Sequence, residues 1–245
     1  LRSVDYGEAD RIVALLTLER GKVSTFARNA RASRRRFGGA LQPFTLLTVE
    51  ARQRAGADLL GLESASVVRA FGGIRSDLAR IACAGYAAEL ARELVRDAEP
   101  HPELYALLVD YLGRLDAAPA EPSALRAFEL GALRAAGLMP RLDACARCGG
   151  ALDAAARAAF DPAHGGVLCA ACGAGAPGAP RLAPATVEGL RRLQEGGLAA
   201  AAAEPLARAA AAEAREALSA FVEHHLGSRL PSRRFLDEVG PFLAS

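Results

Sequence analysis

Apolar and polar positions alternate with a period near two through the first part of the chain, and the period lengthens to that of a helix after Gly72 and Gly73. Residues 12–18 and 22–27 read as two strands joined by Glu19, Arg20 and Gly21, a short glycine-containing hairpin connection. Residues 44–50, 59–62 and 66–71 supply further strands. Short strands with no helix between them predict a small β-barrel rather than a βαβ unit. Beyond them, Leu78, Ile81, Ala82, Gly85, Tyr86, Leu90 and Leu94 fall on one face of a helix. Residues 102–115 continue in that manner. A Pro/Ala linker over 117–122 then precedes a third helix bearing Leu125, Phe128, Ala132 and Leu133, and Gly137 and Pro140 mark its end. Leu218, Phe221, Val222 and Leu226 repeat the pattern near the C-terminus, while the alanine run 199–203 reads as helix filler without chemistry. The expected fold class is multi-domain α+β: a strand domain over residues 1–74 and a helical domain over 75–245.

Charge changes this picture from architecture towards function. The chain carries 30 Lys and Arg against 28 Asp and Glu, a net charge of +2, yet residues 1–75 hold 13 basic and 7 acidic side chains and residues 76–245 hold 17 and 21. From Arg20 to Val49 there are seven cations (Arg20, Lys22, Arg28, Arg31, Arg34, Arg35 and Arg36) and no acid. A solvated arginine-rich loop is the bland reading. Acid-free clustering on one domain favours a grip on a polyanion. Lys22, Arg28, Arg31, Arg34, Arg35 and Arg36 are the candidate contacts, since the arginine fork donates bidentately to phosphate and stacks on bases. Phe26, Phe37 and Phe44 lie near the run and are candidate base-stacking platforms; phenylalanine in a small barrel also serves simply as core.

Five cysteines are present, and four of them form two tight pairs, Cys145 with Cys148 and Cys169 with Cys172, with twenty residues between the pairs. Paired hooks at this spacing predict a closed, tetrahedral, structural Zn²⁺ site, one per chain, and argue against a disulfide framework and for a reducing cytoplasm. Glycines 149, 150 and 173 are expected to supply the permissive backbone such knuckles need. The hooks define an insertion over residues 140–182. His164 lies between them as an alternative ligand or a plain loop residue, and Cys83 reads as a small apolar helix residue. Four thiolates leave no open position for water, which disfavours a zinc hydrolase. No phosphate-binding glycine loop with a lysine, nucleophile elbow or deaminase signature occurs, and Lys22 is the only lysine. No apolar stretch reaches transmembrane length, and the opening residues contain no charged-then-apolar leader. The expectation is a binding protein rather than an enzyme; a zinc-ribbon adaptor that binds protein partners, with the barrel as scaffold, is the alternative.

Several segments, in order and at their spacing, carry a resemblance to a known family: residues 5–11 (Asp5 to Arg11), the basic loop 27–36, residues 37–44 (Phe37 to Phe44), 86–90, 128–130, 137–145, 165–169 and 230–236. Over nearly its whole length the chain resembles the RecO family of bacterial DNA repair proteins. The resemblance implies an N-terminal OB-fold barrel followed by a helical domain interrupted by the zinc-hook insertion. It also implies an additional strand before Leu1, and a glycine where this chain has Asn29, a residue that tolerates the left-handed region. The implied function is recombination mediation without catalysis. The protein would bind single- and double-stranded DNA, anneal complementary strands covered by single-strand-binding protein, and work with RecR to load RecA, in the cytoplasm at the nucleoid. Single-strand-binding proteins end in an acidic tail tipped with an apolar residue, and capture of that tail needs an apolar pocket beside positive charge. Leu125, Phe128 and Leu133 with Arg126, Arg134 and Arg141 are the candidates, against the reading that the apolar members only pack the core.

Overall fold

The computed structural model of the chain describes residues 1–53, 56 and 59–239, with Arg34 described by its backbone alone. Two compact units result, Leu1–Pro119 and Ala120–Ser245. By contact the first two long helices therefore belong with the strands, past the division expected after residue 74.

In the first unit, β1 (Arg2–Tyr6), β2 (Asp10–Thr17), β3 (Gly21–Ala27), the short helix α1 (Arg34–Phe37), β4 (Thr45–Arg52) and β5 (Leu60–Ala70) precede α2 (Leu78–Leu94) and α3 (Pro102–Ala117). The strands form one sheet in the order β1-β2-β3-β5-β4, antiparallel except for a parallel step that pairs Thr25 with Leu60 and Phe26 with Gly61. The two stretches expected over 59–62 and 66–71 are one eleven-residue strand, β5, whose register against β4 shifts at Leu46/Leu47 and at Glu50/Ala51. Such irregularities let a long strand bend without breaking. Val13, Ala27, Leu62 and Ala65 from the strands pack on Phe37, Ala40 and Leu41 from the segment that follows β3.

The closed barrel expected from the strand pattern is corrected to an open sheet. No ladder joins β1 to β4 among the described residues, and a cavity of about 510 Å³ is lined by Ser3, Val13, Leu15, Leu47, Val49 and Leu108. All five residues of β1 are in register with β2.

Gly21 closes the β2–β3 hairpin with φ +64°, and a Cβ there would lie 1.8 Å from the Glu99 carbonyl oxygen, so both backbone conformation and space demand glycine. At the far end of the sheet, the Asp116 carboxylate on α3 accepts the Gly73 N–H at 2.8 Å and pairs with Arg69 of β5 at 3.1 Å. The Gly73 amide and the Arg69 guanidinium hold its pKa below the ordinary aspartate value. The helix α2, capped by Asp77 accepting from the Arg80 amide, is buried on more than the one face its spacing predicts: Ala79, Cys83, Ala84, Ala87 and Ala91 are buried while Leu78 is 53% exposed. Its alanines allow close approach on several sides, as in an internal helix.

The second unit contains α4 (Pro122–Ala135), β6 (Ala158–Asp161), β7 (Gly166–Leu168), α5 (Ala170–Gly173), β8 (Arg181–Leu182), α6 (Pro184–Ala203), α7 (Arg208–Leu226) and α8 (Pro231–Val239). The three short strands form an antiparallel sheet, β7-β6-β8. The alanine run is the last turn of α6, after a break in helical geometry at Gly197. From α7, the Glu213 carboxylate accepts the Ala183 N–H (2.8 Å) and the Thr186 hydroxyl (2.6 Å) at the start of α6, and pairs with Arg157 from the insertion. Burial pushes its pKa up, but hydroxyl, amide and guanidinium outweigh burial and hold it below the ordinary glutamate value. Among the described residues no helix is long and apolar enough to cross a membrane.

Glu129 of α4 is fully buried between two buried arginines, 3.1 Å from Arg126 Nε and 3.7 Å from Arg233 of α8, which also reaches Asp237 at 3.1 Å. Removing one member of a buried ion pair leaves an uncompensated charge in a low-dielectric setting. Arg126→Ala is expected to cost about 3–5 kcal/mol in denaturant unfolding of the second unit, and the double replacement Arg126→Met with Glu129→Leu to cost less than that single change.

Candidate nucleic-acid interface and metal centre

The acid-free basic run leaves β3 at Ala27 and returns to β4 at Thr45. Its course is set by anchors at Asn29 and Arg31. Asn29 takes φ +55°, the left-handed conformation asparagine tolerates, and its N–H is accepted by Asp10 Oδ1 at 2.6 Å. The Arg31 N–H donates to the Ala9 carbonyl at 3.0 Å, and Arg31 Nη1 to the Glu8 carbonyl at 3.1 Å. These bonds fasten the basic loop to the β1–β2 turn. Next come α1, introduced by Ser33, and Gly38 in the left-handed region. Phe37 is 2% exposed, and Arg36 lies over its ring at 4.9 Å while donating to the Arg28 carbonyl.

The six candidate cations consequently differ in role. Arg28, Arg31 and Arg35 are exposed, on a loop whose backbone is held in place. Arg36 is half-buried and engaged by the loop itself. Lys22 is turned inward: its Nζ donates to the Arg92 carbonyl near the end of α2 at 2.9 Å and pairs with Asp97 at 3.2 Å. The Arg34 side chain lies outside those described. Of the candidate platforms, Phe37 is core, Phe44 is half-buried at φ +56°, and Phe26 is half-buried on the strand that feeds the loop. Lys22 stands one residue after the hairpin glycine at the start of β3, and its partner at the end of α2 is 70 residues away in sequence, beyond the reach of any local pattern.

The four hook cysteines converge. Their Sγ atoms all lie within 4.8 Å of one another, and Cys148 Sγ is 3.9 Å from Cys169 Sγ. A tetrahedral ion with metal–sulfur bonds of about 2.3 Å separates its sulfurs by about 3.8 Å, so the cluster could hold a metal with little adjustment. The first hook turns through Cys145 N–H to the Gly150 carbonyl (2.9 Å) and Gly149 N–H to the Cys145 carbonyl (2.8 Å), and it is tied to β7 by Ala146 N–H to the Val167 carbonyl at 2.7 Å. The second hook follows β7 directly into α5. Of the three glycines expected to supply unusual dihedrals, only Gly149 has positive φ (+74°); Gly173 instead allows close approach, its built Cβ lying 3.0 Å from Ala159 Cβ.

Burial raises the Cys145 thiol pKa, but the amides of Cys148, Cys169 and Arg147 outweigh it and bring the value to about 6. Sulfur neighbours, Cys169 first and then Cys148, push Cys172 up to about 12. Backbone donors thus favour a thiolate at Cys145 while the sulfurs around Cys172 oppose a second one there, an arrangement a cation would relieve. His164 takes no part in the cluster; its Nδ1 is 2.6 Å from Asp161 Oδ2 in a neighbouring turn.

The expected peptide pocket on α4 is corrected. Leu125 (2% exposed), Phe128 and Leu133 are core, and Arg126 is buried against Glu129. A helix that packs against α6 and α7 on its apolar stripe has no such face left for a ligand. Arg134 is exposed beside Met139, and Arg141, also exposed, is paired with Asp143 at 3.3 Å.

Residues 1–71 match the family description Recombination protein O N terminal, and residues 75–234 match Recombination protein O C terminal. The chain is 70% identical over 243 residues to the DNA repair protein RecO of Anaeromyxobacter dehalogenans (strain 2CP-C), covering 99% of this chain and 95% of the relative. It is 51% identical over 240 residues to that of Myxococcus xanthus (98% and 95% covered), and 44% identical over 247 residues to that of Geobacter sulfurreducens (98% and 96% covered). Two consecutive family matches and relatives aligned over most of their length lead to one assignment: the chain belongs to the recombination protein O (RecO) family.

Proposed function

We propose that the chain is a DNA-binding recombination mediator that acts in DNA repair without a chemical active site, in the cytoplasm at the nucleoid. The observation that carries this reading is the anchored loop that presents Arg28, Arg31 and Arg35 to solvent within a stretch free of acids. Support comes from the relatives, which bear the name DNA repair protein. The strand order with its parallel β3–β5 step also supports an OB-type sheet. Folds of that type bind oligonucleotides across the strand 2–3 face and the turn between strands 1 and 2, the turn to which this basic loop is bonded. In this role the protein grips single- and double-stranded DNA through phosphates, anneals complementary strands covered by single-strand-binding protein, and assists RecA loading together with RecR. The acidic tail of single-strand-binding protein docks away from the packed face of α4, where Arg134 is the accessible cation.

Each arginine that neutralises a phosphate on a single strand contributes about −0.7 to the slope of log affinity against log salt. Replacing Arg28, Arg31 and Arg35 together with alanine is expected to weaken binding to all sequences alike and to flatten that slope by about 2. An unchanged slope in a salt titration would move the DNA site elsewhere.

The four-sulfur cluster holds, in this proposal, one structural zinc. The buried apolar residues that pack directly around the cluster are Cys145, Ala159 and Leu168, so the ion supplies much of the local stability of the hooks. Metal analysis of protein purified without chelator is expected to find about one zinc per chain. Cys145→Ser should lose the metal and expose the 140–182 segment to proteolysis. A zinc content near zero in the wild-type protein would sink the assignment.

A further inference from the structure

One face of the first sheet is core; the other carries an apolar and aromatic strip. Val13, Thr25 and Ala27 are buried, so by strand alternation Ile12 and Phe26, which pair across β2–β3, lie on the opposite face. Val4 pairs with Ile12 across β1–β2, placing Val4, Tyr6 and Arg2 on that same face. Val4 is 43% exposed and Tyr6 57%, and the Tyr6 ring meets Phe26 edge to face, with centroids 5.8 Å apart at 82°. Across the β3–β5 step the neighbour of Phe26 is Gly61, which adds no side chain to this face.

The charge around this strip is built, not scattered. Tyr6 is the last residue of β1, and the following turn receives the Arg31 main-chain and side-chain bonds at Ala9 and Glu8. Arg28 lies two residues beyond Phe26, and both Arg2 and Arg28 are exposed. Of the acids nearby, Asp5 is paired with Arg11 at 2.9 Å and Asp10 accepts the Asn29 amide, leaving Glu8 at the turn. An exposed aromatic buttressed by a second ring and flanked by exposed arginines is complementary to a chain that offers flat apolar rings and phosphates in alternation, which is an unpaired nucleic-acid strand. A duplex offers the phosphates but hides the ring faces.

We propose that Tyr6, with Phe26 supporting it, is the stacking platform that distinguishes unpaired from paired DNA. The inference rests on the DNA-binding reading above and adds to it the element that selects the strand type. The experiment uses the full chain. Tyr6→Ala is expected to weaken binding to oligothymidylate roughly tenfold, leaving duplex affinity and the salt slope unchanged. The chain has no tryptophan, so Tyr6→Trp installs a single tryptophan, excited apart from the three remaining tyrosines, whose emission should be quenched by oligothymidylate and not by a duplex of equal charge. Equal loss of single-strand and duplex binding in Tyr6→Ala, or a tryptophan whose emission ignores oligothymidylate while the protein binds it, overturns the platform. If the triple arginine variant keeps its full salt slope while the tryptophan is quenched, the loop assignment fails and the platform stands.

Discussion

Phe37, Ala40 and Leu41 leave the basic loop to pack against the core face of the five-stranded sheet, and that burial fixes the course of the segment that carries Arg35 and Arg36. Burying a phenylalanine side chain stabilises by about 1.5–3 kcal/mol, more than any exposed arginine contact in the loop can oppose. With Phe37 inward, Arg36 is laid over its ring and bonded to the Arg28 carbonyl, while Arg35, its neighbour on one short helical turn, faces water. At the other end of the loop, Asn29 and Arg31 are fastened to the β1–β2 turn. The arginines are thus held on a frame that is already ordered. In the proposed role this lowers the entropy lost when they meet phosphates.

The two units solve the problem of stability differently. The sheet with α2 and α3 relies on apolar burial from strands, loop and alanine-rich helix. The hook insertion buries Leu142, Phe160, Val167 and Leu182 and adds to them four clustered sulfurs with several converging amides. Arg157 and Glu213 then connect this small element to the helices beside it, through a carboxylate that also closes the start of α6.

Arginine in this chain has at least three uses. In the loop it is displayed, in Arg126 and Arg233 it neutralises a buried glutamate, and in Arg80 it bridges the carbonyls of Gly73, Leu115 and Asp116 where helix and sheet meet. Composition and charge counts cannot separate these uses, because each depends on what lies opposite the guanidinium.

What the sequence determined by itself is local. The hairpin at Gly21, the start of α2 after Asp77, the proline-led starts of α3 and α4, the left-handed Asn29 and the pairing of the four cysteines all follow from backbone preference or short spacing, which act within a few residues. Much of the candidate metal centre was legible for that reason. Tertiary structure alone decided the rest. It joined two short strands into β5, formed no ladder between β1 and β4 among the described residues, and surrounded α2 on several sides. It also drew Lys22 to the end of α2, sank Arg126 beside Glu129, and set Tyr6 on Phe26 at the foot of the basic loop. Each of these outcomes depends on a partner far away in sequence, and burial is a property of the partner as much as of the residue.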